Sequence, residues 1–175
     1  MGFVFAAVFL WLARPSWRTM LASLVLVVPG LWLRGYASGY VKKNAELTIT
    51  GPYAYTRNPL YLGSMLIAFG FAAASASWVI LVALAGLFGA IYVPTIQSEE
   101  AYLREHFAGF DAYAGEVPRL LPRLTGAGKA AAGDGVAAHG NFSRELYLRH
   151  REYNSAIGAV GLYLALAARL LFLSR

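Results

Sequence analysis

The stretch NPLYLGSMLIAFGFAAASASWVILVALAGLFGAIYVPTIQS, from Asn58 to Ser98, decides the fold because it contains no Asp, Glu, Lys or Arg. A membrane-spanning helix needs about 20 predominantly apolar residues, so this stretch is long enough for two. The short polar sequence SAS, from Ser75 to Ser77, provides a turn near its middle. The stretch therefore predicts two membrane-spanning helices joined by a short turn.

The whole chain has the composition of a membrane protein. Of its 175 residues, 58% are hydrophobic and 14% are charged, and the mean hydropathy is +0.52. These values are too apolar for an ordinary soluble domain of this length. Further apolar intervals run from Thr19 to about Leu33 and from Tyr153 to Ala168. Both can cross a membrane if Arg34 and Arg169 snorkel or face protein.

The first apolar run, from Gly2 to Ala13, is shorter than the hydrocarbon core at about 1.5 Å per residue. It lacks a basic n-region and a small-residue cleavage site, so we interpret it as a tilted, truncated span rather than a signal peptide. The predicted fold class is all-α: a polytopic membrane helix bundle with about five transmembrane helices and a cytoplasmic amphipathic helix. Ala83, Gly86 and Ala90 either let the fourth helix pack closely on a neighbour or face lipid.

Basic residues of the predicted loops fall mainly on one side of the membrane, and only Arg14 and Arg18 oppose them. The positive-inside rule predicts an integral protein of the cytoplasmic membrane with its functional face toward the cytoplasm. The net charge of +6 suits an anionic lipid leaflet, and no soluble basic domain exists to bind nucleic acid. The basic residues on this side are Lys42, Lys43, Arg57, Arg104, Arg119, Arg123, Lys129 and the cluster from Arg144 to Arg151.

Metal and thiol chemistry are not expected, because the chain has no cysteine and its histidines lack metal-ligand spacing. These histidines are His106, His139 and His150. The sequence TGAGKAAAGDG, from Thr125 to Gly135, matches neither a Walker loop nor a dinucleotide-binding loop that follows a strand. We interpret it as part of a flexible Gly/Ala linker. The predicted domain organisation is a membrane body at 1–123, the linker at 124–140, and a basic amphipathic segment with a C-terminal transmembrane helix at 141–175. The chain could form a homodimer through this C-terminal segment.

The motif GPYAYTRNPLYLG, from Gly51 to Gly63, places a turn directly before the charge-free stretch. Asn58 and Pro59 are typical of a helix start, with Asn58 able to cap the helix. Arg57 then lies at a helix N-terminus, where free N–H groups, the helix dipole and the guanidinium attract anions. Tyr and Arg are also common at the lipid headgroup level, so a simple interfacial anchor explains the same residues.

The segment IQSEEAYLREHFAGFDAYAGEVPRLLP, from Ile96 to Pro122, carries the second group of candidate residues. Helical spacing predicts an inward-facing stripe with Glu99 as a paired functional carboxylate. Glu100 and Arg104 have the spacing of a surface ion pair, and His106 is either functional or interfacial. The predicted stripe consists of Glu99, Tyr102, Leu103, His106, Phe110 and Tyr113.

The two motifs together, spaced by two spans, resemble the isoprenylcysteine carboxyl methyltransferase and phospholipid methyltransferase family of integral membrane enzymes. The resemblance covers roughly Trp11 to Pro122. It implies that S-adenosylmethionine binds at the cytoplasmic face, leaves as S-adenosylhomocysteine, and methylates a lipid-borne substrate. The cofactor-binding residues that it implies are Tyr53, Arg57, Asn58, Pro59, Tyr61, Gly63, Glu99 and Glu100, and the catalytic candidates are Arg57, Glu100 and His106.

Two points qualify this resemblance. Many relatives have His where this chain has Asn58, which hydrogen-bonds but does not titrate near neutral pH. A carboxylate acceptor is favoured over an amine, because it is already ionised and needs no base. The alternatives are a membrane NADPH-dependent reductase of sterol-like or enone lipids, which carries a similar Arg-His-Pro-x-Tyr element, and a non-enzymatic helical scaffold.

Overall fold

The computed structural model describes residues 2–41, 46–127 and 140–173, and the regular structure within these ranges is helical. The all-α class is therefore confirmed. A 3-10 turn at Gly51–Ala54 lies between the second and third helices. The helices are α1 (Gly2–Leu12), α2 (Trp17–Ser38), α3 (Pro59–Ser75), α4 (Trp78–His106), α5 (Phe110–Glu116), α6 (Arg144–His150) and α7 (Tyr153–Leu173).

Three of these helices are long and apolar enough to cross a membrane: Trp17–Ser38, Trp78–His106 and Tyr153–Phe172. Helix α3 is apolar but has 17 residues, at the lower limit for a span, and α1 has 11. The five-span count and the cytoplasmic position of α5 stay predictions. The predicted turn at SAS is confirmed, since α3 ends at Ser75 and α4 begins at Trp78.

Helices α2 and α3 run antiparallel and contact each other closely at glycine residues. A Cβ added at Gly30 would lie 2.8 Å from the carbonyl oxygen of Gly63, and one at Gly70 would lie 2.5 Å from Cγ2 of Val27. Small residues of this kind let membrane helices approach closely. This backbone contact fixes the start of α3, which carries the motif, against the end of α2.

The alternative of a small-residue contact on α4 is wrong. Ala83, Gly86 and Ala90 are exposed, and a Cβ at Gly86 would meet nothing within 4 Å. The physical reason is that α4 turns a different face inward, on which Ile80 and Leu84 are buried. The close-packed glycines lie on α2 and α3 instead.

The C-terminal segment packs on the same bundle. Tyr163 hydrogen-bonds Ser23 at 2.7 Å, and the backbone N–H of Ser143 donates to Gly39 at 2.8 Å. Arg169 faces protein, as one sequence alternative holds, because its guanidinium donates to the carbonyl of Trp11 at 2.8 Å at the end of α1. Of the predicted linker, residues 128–139 lie outside the described residues, as do Lys42, Lys43, Lys129 and His139.

Candidate functional site

The motif at 51–63 folds into a turn that the rest of the chain holds in place. Gly51 has a left-handed backbone with φ of 59°, and a Cβ there would lie 2.5 Å from the ring of Tyr40. Thr56 is buried and its hydroxyl donates to the carbonyl of Leu120 at 2.9 Å. The backbone N–H of Arg57 donates to Pro118 at 3.0 Å. The VPRLLP segment, Val117 to Pro122, therefore holds the motif in place.

Asn58 occupies the N-cap position of α3 but does not cap it through its side chain. Its amide instead donates to the carbonyl of Arg119 at 2.9 Å, and the residue is 8% exposed. The expectation that Asn58 caps the helix is therefore wrong. The VPRLLP segment offers the amide an acceptor, and the first-turn N–H groups of α3 keep no intrahelical partner.

Glu100 is the buried centre of an ionic network that joins three segments. Its Oε1 lies 3.0 Å from Nη2 of Arg57, and its Oε2 lies 2.7 Å from Nη2 of Arg119. Arg57 also donates through Nη1 to the carbonyls of Ala114 at 2.6 Å and Val117 at 2.7 Å. The hydrogen bonds to Glu100 and its negative charge raise the pKa of Arg119 above its ordinary value. The start of α3, the end of α4 and VPRLLP thus form one unit.

This network corrects two sequence expectations about the Glu-Glu pair. Glu100 does not pair with Arg104; Arg104 bonds Asp111 at 2.7 Å on the exposed surface. Glu100, at 5% exposure, is the buried carboxylate of the pair, whereas Glu99 is an exposed residue at the edge of a cavity. The single inward stripe is wrong because α4 ends at His106, so Phe110 and Tyr113 belong to a separate helix.

A cavity of about 620 Å³ lies between the motif turn, the starts of α3 and α7 and the ends of α2 and α4. Its size is within the usual range for small-molecule sites. Seven of the eight predicted cofactor-binding residues line it, namely Tyr53, Arg57, Asn58, Pro59, Tyr61, Glu99 and Glu100.

Glu99 is a cavity carboxylate whose hydrogen-bond partner is a tyrosine hydroxyl. The hydroxyl of Tyr61 donates to Oε1 of Glu99 at 2.9 Å. The Tyr61 ring packs edge-on against Tyr92, with ring centroids 5.0 Å apart, and Tyr92 also lines the cavity. This edge of the cavity combines a negative charge with aromatic faces, an arrangement that suits a cation.

Tyr53 and Tyr113 form the floor of the cavity. The Tyr113 hydroxyl donates to the carbonyl of Tyr53 at 2.7 Å, and both residues are buried. Burial raises the pKa of each phenol above its ordinary value, and for Tyr53 the negative charge of Glu99 adds to the rise. Both therefore stay neutral hydroxyl groups at physiological pH.

Two residues singled out from the sequence lie away from the cavity wall. Gly63 is in the contact between α2 and α3, where a Cβ would lie 2.9 Å from the carbonyl oxygen of Gly30. His106 is exposed, stacks on Tyr102 with centroids 4.0 Å apart, and places Nδ1 2.9 Å from the Tyr102 carbonyl. Gly63 and His106 are therefore not positioned to contact a ligand in the cavity directly.

Sequence reasoning missed one ionic pair in the cavity wall. Arg34 of α2 contacts Glu152 with Nη2 to Oε1 at 2.8 Å and Nε to Oε2 at 3.0 Å. An arginine inside an apolar interval indicates a functional residue, so the position of Arg34 in the sequence could have pointed to it. Glu152 gave none, because it follows a basic cluster more than a hundred residues away.

Residues 30–109 match the family model described as phospholipid methyltransferase. This segment contains the end of α2, the motif turn, α3 and α4. These residues, under half of the chain, are similar to that family. The match covers the two motifs up to the end of the Glu-Glu helix and confirms the suspected family.

Two relatives have names that refer to metal resistance. The chain is 37% identical over 106 residues to the nickel-cobalt-cadmium resistance protein NccN of Alcaligenes xylosoxydans xylosoxydans. It is 35% identical over 106 residues to the cobalt-zinc-cadmium resistance protein CzcN of Cupriavidus metallidurans. These matches cover 61% of this chain but 49% and 48% of the relatives, so the chain spans about half their length. No solved structure matches the chain.

The match of residues 30–109 to the phospholipid methyltransferase model and the three apolar helices together indicate a membrane protein with a domain of methyltransferase type. Within residues 2–41, 46–127 and 140–173 no group of three or more His, Asp or Glu side chains is arranged to hold a metal ion. The metal-resistance names are those of the relatives.

Proposed function

We propose that this protein transfers a methyl group from S-adenosylmethionine to a membrane-embedded lipid or prenylated acceptor. The observation that carries the proposal is the cavity of about 620 Å³, which residues of both family motifs line together. The motif turn and α3 provide one wall, and the end of α4 provides the facing wall. We propose further that this cavity opens toward the cytoplasm, where the positive-inside rule places these segments.

The donor set of the cavity fits this cofactor, which carries an ammonium, a carboxylate, a sulfonium and an adenine. Glu99 suits the ammonium, because no guanidinium among the described residues pairs with it and Tyr61 holds it in place. Tyr61 and Tyr92, which are half-buried, offer ring surfaces for the sulfonium and the adenine. When bound, S-adenosylmethionine supplies an electrophilic methyl group on positively charged sulfur.

The carboxylate of the cofactor needs a different partner from the one that the resemblance implies. Arg57 is fully engaged by Glu100 and by two backbone carbonyls, so its role is to hold the cavity walls together. The start of α3 is the better partner. Its first-turn N–H groups lack intrahelical acceptors, the Asn58 side chain does not cap them, and Leu60 and Tyr61 line the cavity.

The geometry favours an acceptor that needs no base. His106 lies outside the cavity wall, and two guanidinium groups hold the Glu100 carboxylate. Neither is placed to remove a proton from an amine. We therefore propose carboxylate O-methylation, for which the protein needs only to align the reactants and exclude water. An amine acceptor would require another cavity carboxylate, Glu46, Glu99 or Glu152, as its base.

Isothermal titration with S-adenosylhomocysteine tests this proposal. The wild-type protein should bind it in the micromolar range, and Glu99→Ala should weaken binding by about tenfold or more through loss of a charge-assisted contact. Glu105→Ala, an exposed glutamate on the same helix, is the matched control and should bind as wild type. Absence of binding in folded wild-type protein would reject the methyltransferase proposal, and binding of NADPH instead would favour the reductase.

A further inference from the structure

The C-terminal segment contributes a charged residue to the cavity. Glu152 lies directly before α7, and Arg34 lies one turn before the end of α2. Both line the cavity, and their side chains are 12% and 24% exposed. Glu152 is outside the segment that matches the family, so nothing in that match assigns it a role.

The guanidinium of Arg34 presents two separate edges. Its Nη1 is held on α3 by hydrogen bonds to the Ser64 hydroxyl and, at 3.4 Å, to the carbonyl of Leu60. Its Nε and Nη2 form the other edge, and Glu152 takes both in a bidentate contact. This edge matches the geometry of any carboxylate, and α3 keeps it oriented independently of Glu152.

The backbone beside Glu152 is in an unusual conformation. Arg151 closes α6 with a left-handed backbone at φ of 54°, a region that costs energy for a residue other than glycine. On the other side of Glu152, α7 begins at Tyr153. To leave the guanidinium, the Glu152 carboxylate must also break the hydrogen bond that the Ser155 hydroxyl donates to its Oε2 at 3.2 Å.

We propose that the Nε and Nη2 edge of Arg34 is the subsite for the carboxylate of the lipid-borne acceptor, and that Glu152 occupies it when no acceptor is bound. The inference rests on the proposed function, since it names where the acceptor binds in the same cavity. Arg34 is near the end of the α2 span and Glu152 at the start of the α7 span, so the subsite lies at the level where a lipid headgroup would arrive. The acceptor then exchanges one carboxylate for another on the same guanidinium.

Binding of palmitate, a carboxylate on an apolar chain, measures this exchange. The purified full chain is saturated with S-adenosylhomocysteine and titrated with palmitate, and hexadecanol serves as the uncharged probe that reports apolar partition alone. Glu152→Gln should bind palmitate about tenfold more tightly than wild type, because the competing charge is gone. Arg34→Gln should lose the difference between palmitate and hexadecanol. Glu152→Asp, whose shorter side chain reaches the edge less well, should give an intermediate gain.

Two controls separate competition from a purely structural role. Tyr163→Phe breaks the 2.7 Å bond to Ser23 and loosens the same contact between α7 and α2 away from the cavity. Glu145→Gln removes an exposed negative charge from the neighbouring α6. Both should bind palmitate as wild type does.

The outcomes distinguish this inference from the proposed function. Palmitate affinity that is equal in wild type, Glu152→Gln and Arg34→Gln, with S-adenosylhomocysteine binding intact, would overturn the subsite and leave the methyltransferase proposal standing. A loss of palmitate affinity in Glu152→Gln would show that Glu152 holds the site together, and it would also overturn the inference. Absence of S-adenosylhomocysteine binding in folded wild-type protein would remove the proposed function and the acceptor role of Arg34 together.

Discussion

Arg57 and Glu100 lie 3.0 Å apart, from Nη2 to Oε1, and this contact joins the residue before the N-cap of α3 to the last turns of α4. Both side chains are buried, at 12% and 6% exposure. The two family motifs are thus connected through a charge pair rather than through a ligand. In this chain the motif arginine shapes the cavity, and Glu99 and the start of α3 are left to contact what enters it.

Removing the charge of Glu100 should destabilise the protein strongly. Glu100→Gln leaves Arg57 buried without its counter-ion, which typically costs about 3 to 5 kcal/mol. The matched control is Arg104→Ala, which breaks the exposed pair with Asp111 and should cost about 1 kcal/mol or less. Unfolding of both variants in detergent, followed by circular dichroism against denaturant, measures the difference. Equal stability of the two variants would contradict the structural role of the network.

The glycine contact between α2 and α3 should tolerate no added methyl group. Gly30→Ala places Cβ 2.8 Å from the carbonyl oxygen of Gly63 and 3.0 Å from the backbone N of Ile67, so helices must move apart at a cost of about 1 to 3 kcal/mol. Gly86→Ala, in open space on α4, should be neutral or gain up to about 1 kcal/mol in helix propensity. Melting temperatures in the same detergent test this, and a stable Gly30→Ala protein would refute the close approach.

His106 should be dispensable for ligand binding. Its ring stacks on Tyr102 and contacts the backbone of its own helix, and it does not line the cavity. We expect His106→Ala to bind S-adenosylhomocysteine within about twofold of wild type, because removing a contact outside a site changes affinity by well under 1 kcal/mol. Titration calorimetry gives the answer directly. A tenfold loss would return His106 to the list of functional residues.

Position 58 should contribute no ionisation to the pH dependence of cofactor binding. Asn58 does not titrate near neutral pH, and its amide bonds the Arg119 carbonyl. Asn58→His should introduce a new step in a plot of S-adenosylhomocysteine affinity against pH, near about 6.5 if its environment leaves the imidazole unperturbed. A profile that Asn58→His alters only in amplitude would contradict this prediction.

Much of the candidate site was predictable because it sits in two short motifs. The residues of the motif at 51–63 are close in sequence, and a turn followed by a proline-initiated helix holds them together whatever surrounds it. The pair at Glu99 and Glu100 was found for the same reason. The sequence analysis predicted that Glu99 points inward, whereas Glu100 is the buried residue. Adjacent helical residues differ by about 100° in direction, and only the packing of α4 decides which one points inward.

The sequence by itself determined that this is a helical membrane protein, where its central hairpin turns, and which family the two motifs resemble. Local apolar length and turn chemistry suffice for these conclusions. Only the tertiary structure decided that Glu100 neutralises Arg57, that Asn58 bonds Arg119, and that Arg34 meets Glu152, 118 positions away. Contacts at such separation depend on how whole helices pack, and no local pattern of residues encodes that arrangement.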